Sequence, residues 1–202
     1  MAKQPKLAKP KLEPLKIKCT STDCDNGLHC FKASRKTKSA TEHGACRECG
    51  VKLVDWPRVH ENNSTDALYT FAALKNELIR HHFWHIEVDL KAVNYARRKG
   101  VSGLKTAVRS RLRASVSRAN NPYDGRQTPM DGSGNPIHYA QHATASCCRT
   151  CMEYWHGIPR TKDLTDDQIE YLAELIMLYV RERIPGLKEN GEHVPPIRHA
   201  RQ

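Results

Sequence analysis

Beyond residue 64, apolar side chains return at intervals of three and four, the period of a helix buried on one face. Leu68, Phe71, Ala72, Leu74, Leu78 and Ile79 form the first such series, which Ser64, Thr65 or Asp66 can cap. A second helix is predicted to start after Asp89 and stop at Gly100. A third covers 102–119, with Leu104, Val108, Leu112 and Val116 four apart. The fourth is the plainest. Thr165-Asp166-Asp167-Gln168 has the form of a capping box, and Ile169, Leu172, Ala173, Leu175, Ile176, Tyr179 and Val180 build a broad apolar face ending before Pro185-Gly186. The stretch 120–136, rich in Gly, Pro, Asp and Asn, is predicted as loop. Upstream the pattern changes: Leu15-Lys16-Ile17-Lys18 and Val51-Lys52-Leu53-Val54 read as short strands. No apolar run reaches the ~18 residues that a membrane span needs.

Cysteines add chemistry to this pattern. Cys19, Cys24, Cys30, Cys46 and Cys49 fall between the two strand candidates. Cys46-Arg47-Glu48-Cys49-Gly50 is a Cys-x2-Cys turn of the kind that curls its backbone around zinc, and Gly50 can take the left-handed conformation that closes it. Its expected partners are Cys19 and Cys24, which leaves Cys30 spare. Cys24 with Cys30 fits nearly as well, and His29 is a further candidate.

A second group lies in Gln141-His142-Ala143-Thr144-Ala145-Ser146-Cys147-Cys148-Arg149-Thr150-Cys151, followed by Trp155-His156-Gly157. In an unbroken helix Cys148 and Cys151 share a face while His142 points elsewhere. A shared metal therefore requires a break near Ala145 or Ser146, with Cys148-x2-Cys151 opening a new helix. The predicted ligands are His142, Cys148 and Cys151, with Cys147 or His156 as the fourth. Zinc is the expected ion at both sites, and an iron–sulfur cluster is the alternative at the second. Without metal, the thiols would pack as small apolar groups.

These features predict a mainly α fold with a small β zinc-ribbon-like N-terminal module and an irregular helical domain holding the second cysteine site. The divisions are a basic tail over 1–16, the ribbon-like module over 17–63, the helical domain over 64–186 and a polar tail over 187–202. Only 39% of the 202 residues are hydrophobic, a thin interior that metal cross-links would reinforce. The lysine- and proline-rich N-terminus lacks the apolar stretch of a secretory signal, so reduced cysteines in a bacterial or infected host cytoplasm are expected.

The formal net charge of +11 points to a polyanionic partner rather than a membrane. Between Arg80 and Arg126 stand eleven Lys and Arg against three carboxylates. Arg97, Arg98, Lys99, Lys105, Arg109, Arg111, Arg113 and Arg118 are the candidate phosphate contacts, with Tyr95 or Tyr123 available for stacking.

Three runs also carry a resemblance. They are Asp124-Gly125-Arg126-Gln127-Thr128-Pro129-Met130, Ala140-Gln141-His142-Ala143-Thr144-Ala145 with Cys147-Cys148-Arg149 and Cys151, and Trp155-His156-Gly157-Ile158-Pro159. Together they are similar to domain-of-unknown-function family 4186, an uncharacterised family of bacterial and phage proteins, over about 83–184. The resemblance implies a single domain there, to which the Cys19–Cys49 region is an addition, and it implies no reaction. It singles out Asp124, Gln127, Thr128, His142, Cys147, Cys148, Arg149, Cys151, Trp155 and His156.

The first functional reading is a two-zinc accessory or regulatory factor that binds DNA or RNA without catalysis. Its basic surface would include Lys32, Arg35, Lys36 and Lys38 of the ribbon. A metal-dependent hydrolase, nuclease-like, is the second, using His142, Asp124 and the Glu77/His81/His85 helical face. The third is an adaptor that docks a protein partner.

Overall fold

Caps and apolar series set most helix boundaries. A computed structural model describes residues 17–32, 44–121, 128–129, 134–195 and 197. Its helices are α1 (Trp56–His60), α2 (Ala67–Leu74), α3 (Leu78–His85), α4 (Leu90–Ser115), α5 (Pro136–Ala143), α6 (Arg149–His156) and α7 (Asp166–Arg183). Asp55, Asp89, Asn135 and Thr165 cap α1, α4, α5 and α7 with side-chain oxygens, and Thr165 with Gln168 completes the predicted capping box. α7 is the centre of the fold. Its apolar face from Ile169 to Val180 is buried, and α2, α4 and α5 pack on it while α3 lies along α5. No helix among the described residues is long and apolar enough to cross a membrane.

The first predicted helix is divided. Its series breaks after Leu74, where the backbone N–H of Leu78 donates to His29 O and that of His29 to Asn76 O. Within α2 the buried face is Ala67, Thr70, Phe71, Ala73 and Leu74, which turns Leu68 outward to 65% exposure. The second and third predicted helices meet at Gly100, which adopts φ 66° and ψ 177° inside α4, a conformation open in practice to glycine alone. Across this break lies chain expected as part of the polar tail. Val101 and Ser102 donate to Lys188 O and Glu189 O, and Glu192 donates to Arg97 O.

The ribbon-like β module is not seen among the described residues. They contain only two isolated bridges, Asp23 with Leu28 and His29 with Glu77. The physical reason lies in what its strand candidates touch. Ile17 packs against the helical core, and Val51 and Val54 pack into a small second core with Phe31, Val59, Leu74 and Trp155. Phe31 and Trp56 approach Trp155 at 6.0 and 5.1 Å between ring centroids, so the N-terminal region is joined to the helical domain by aromatic packing.

Candidate metal centres

Local turns build the first centre. Gly27, at φ 72°, closes a 3-10 turn over Cys24–Asn26, and its N–H donates to Cys24 O. Gly50, at φ 75°, closes the Cys46–Cys49 knuckle by donating to Cys46 O. His29 is fixed by its two backbone bonds to the turn before α3. The ligand atoms of Cys24, His29, Cys46 and Cys49 all lie within 4.8 Å of one another. Cys24 Sγ is 3.7 Å from Cys46 Sγ, and Cys49 Sγ is 3.5 Å from His29 Nδ1. A zinc tetrahedron with bonds of about 2.3 Å to sulfur and 2.0 Å to nitrogen spaces its ligands by about 3.8 and 3.5 Å. The donor set fits a single ion.

The thiols are electrostatically interdependent. Burial and the neighbouring Cys49 and Cys46 push Cys24 up to about 12. Burial also acts to raise Cys46, but backbone N–H groups and His29 outweigh it and bring that thiol down to about 6. Thiols so placed cannot all ionise unless a cation joins them.

Cys19, predicted as a ligand here, lies outside this group, and His29 occupies the fourth corner. The chain turns at 18–21, where Ser21 N–H donates to Lys18 O and Lys18 N–H to the Ser21 hydroxyl. That turn leaves Cys19 exposed and separate from the knuckle. Cys30 is fully buried, with its Sγ 3.5 Å from Cys19 O.

The second centre forms at a helix break. α5 ends at Ala143, Ala145 adopts φ 54°, and Cys148 stands at the N-cap of α6. Cys147, Cys148 and Cys151 converge with their sulfurs within 4.8 Å of one another. That spacing suits one shared ion, because a cluster divides three thiolates among two or more irons. Hydrogen bonds with Cys147 and Cys148, then the Arg80 guanidinium, hold Cys151 well below the usual thiol range. Arg80 Nη2 lies 3.3 Å from Cys151 Sγ, and its Nη1 donates to His142 O at 2.6 Å. Beside the three thiols opens a cavity of about 320 Å³.

The two histidines predicted for this centre are placed differently. His142 lines the cavity but is not in the cysteine group. Its ring stacks on Phe83 at 4.6 Å, and Nε2 donates to Thr128 O and Pro129 O. His156 is fully buried away from the thiols, with Nε2 3.0 Å from Thr144 O and Nδ1 3.2 Å from the Tyr171 hydroxyl. With both ring nitrogens engaged, His156 has none left for a metal.

Glu77 and Arg80 are a pair that the pattern of the chain did not reveal. Glu77 precedes α3 in extended conformation, so it leaves the expected face with His81 and His85 and turns inward. There it is completely buried and accepts from Arg80, Tyr154 and Trp155. Burial raises its carboxyl while Arg80, Tyr154 and Trp155 pull it back. His81 and His85 stay outside, their rings 4.1 Å apart.

Arg149 also serves the interior. Its buried guanidinium donates to the carbonyls of Val116, Ser117, Pro159 and Lys162.

Much of the basic surface is paired within the chain. Arg97 binds Glu192, Arg109 binds Glu170, Arg113 binds Asp166 and Arg118 binds Asp163. Arg111 is half-buried, with Nε 3.4 Å from Gln141 Oε1. Lys105 stands near Glu170, whose carboxyl it helps to lower. Arg98 and Lys99 are exposed and have no carboxylate in salt-bridge reach among the described residues. Tyr95 lies 5.9 Å beneath the Lys99 ammonium. Asp124, Gln127, Tyr123, Arg126, Arg35, Lys36 and Lys38 lie outside the described residues.

No solved structure matches this chain. A family model described as Domain of unknown function (DUF4186) matches residues 68–181, from α2 to the last turns of α7, and includes the second cysteine group but not the first. The match covers more than half of the chain, which belongs to this family.

Proposed function

We propose that this is a zinc-binding protein in which the metals are structural and a basic surface engages nucleic acid. The observation that carries the metal reading is the first centre, whose sulfur–sulfur and sulfur–nitrogen spacings of 3.7 and 3.5 Å fit a zinc tetrahedron closed by four protein ligands. Zinc at the second centre is held by Cys147, Cys148 and Cys151. All eight thiols are free, as such a role requires, and a reducing cytoplasm would keep them so.

Charge supports the nucleic-acid part. The net charge is +11, and Arg98 and Lys99 project from α4 without carboxylate partners among the described residues. The surface pairs of Arg97, Arg109, Arg113 and Arg118 are individually weak, so phosphate can compete for these arginines. A hydrolase is less well supported. The cavity beside the second centre has no Asp or Glu among its described lining residues, and its histidine, His142, is stacked on Phe83 with Nε2 bonded to two carbonyls.

Fluorescence anisotropy with labelled duplex and single-stranded oligonucleotides tests the nucleic-acid part. Binding at low salt that falls steeply as salt rises is expected, with Arg98→Glu and Lys99→Glu weakening it. Absence of binding at low salt overturns this part and leaves the metal part standing.

A further inference from the structure

The second centre brings together three thiolates, whereas zinc in a structural site takes four protein ligands. We propose that Cys19 supplies the fourth, so that one ion clamps the N-terminal segment onto the family domain. This rests on the zinc reading above. Cys19 lies 128 positions before Cys147 in the chain, yet it lines the same cavity as Cys147, Cys148 and Cys151. Its neighbour Ile17 packs against the helical core, which lays this segment over the cavity.

Exposure and charge favour Cys19 over His142. The Cys19 side chain is exposed, lies in a turn and lines the cavity, so its sulfur can reorient without giving up a buried position. His142 is buried, stacked on Phe83 and bonded to two carbonyls, and a shift of its ring would forfeit those contacts. Four thiolates around zinc carry a net charge of −2. Lys18, Lys32 and Arg80 line the cavity and offset it. Coordination replaces the Cys19 S–H bond with an S–Zn bond, and the proton leaves to solvent.

Cysteine-resolved alkylation of the zinc-loaded full chain, read by peptide mass spectrometry, tests the assignment. Cys19 is expected to react at least about tenfold more slowly than in the chelated, unfolded chain, in step with Cys147, Cys148 and Cys151, because a metal-bound thiolate is shielded. Rapid labelling of Cys19 while those three stay protected overturns the proposal and leaves zinc at this centre intact. Rapid labelling of all four overturns both. As a second measurement, Cys19→Ser is expected to speed release of one zinc ion to a chelating dye by about tenfold or more while the other ion keeps its rate. Two unchanged release rates contradict the clamp.

Discussion

Glu77 shows how much a single side chain can carry in this fold. Its carboxylate is enclosed and meets the Arg80 guanidinium at 3.1 Å, the Tyr154 hydroxyl at 2.7 Å and the Trp155 indole at 2.5 Å. Arg80 continues to Cys151 and His142 O, so the carboxylate stands behind the second metal centre. Removing one member of a buried pair leaves the other charge uncompensated. Glu77→Ala is therefore expected to lower the unfolding free energy of the zinc-loaded protein by about 3–5 kcal/mol. Glu77→Gln, which keeps the shape, should cost less. Chemical denaturation measures both, and an unchanged midpoint for Glu77→Ala would refute this role.

His156 gives the interior a pH dependence. Burial, the largest influence, brings its imidazole down to about 4 from an ordinary value of 6.5. Between these values the unfolded chain binds a proton that the folded chain refuses, so stability falls as pH drops from 6.5 towards 4. The full effect is about 3 kcal/mol, levelling off below the folded value. Denaturation midpoints between pH 7 and 4, compared with those of His156→Gln, isolate this part because acid release of metal is common to both. Parallel curves would contradict it.

Among the elements, α4 depends most on one glycine. A Cβ at Gly100 would lie 2.4 Å from the Asn190 carbonyl carbon and 2.6 Å from Gly191 N, backbone atoms with little freedom to retreat. Its φ of 66° with ψ of 177° adds strain for any other residue. Gly100→Ala should destabilise the protein by about 1–3 kcal/mol. It should also release the segment 187–195 selectively. Amide exchange of Val101, Ser102 and Glu192, the donors across this junction, should quicken while the α7 amides keep their protection. No change at those three amides would contradict the docking.

The elements most legible in the sequence are those whose signals are local. The Thr165–Gln168 box and the apolar face behind it place α7, Gly100 marks the break in α4, and the break expected at Ala145 or Ser146 to bring His142 to Cys148 and Cys151 is present, although His142 stays outside the cysteine group. What escaped was set by contacts distant along the chain. His29 joins the first centre because residues 76–78 hold its backbone, and Glu77 turns inward because Tyr154 and Trp155 await it. Short apolar–polar alternations near Ile17 and Val51 suggested strands, but those side chains found partners in helical cores instead. The signal for His29 was present in its spacing from Cys24. Choosing it over Cys19 required knowing where α3 begins.

At the scale of the whole molecule, the first Cys/His group and the aromatic packing lie in the same region. The first centre gathers Cys24, His29, Cys46 and Cys49, and Phe31 and Trp56 from the same region rest on Trp155 of α6. Residues 76–78 touch His29 on one side and lead through Arg80 to Cys151 on the other, so the two centres share a short stretch of backbone. Of the two groups that could hold metal, one thus lies in the chain before the family domain and the other within that domain.

The central claim is that these two groups of thiols bind zinc. Native mass spectrometry of the freshly purified full chain measures this directly. The account predicts a colourless protein whose mass exceeds that of the bare chain by two zinc ions less the displaced protons, and which reverts to the bare mass after chelation. A chain that carries no metal as isolated and takes up none from added zinc, or one that carries iron with sulfide, would contradict it.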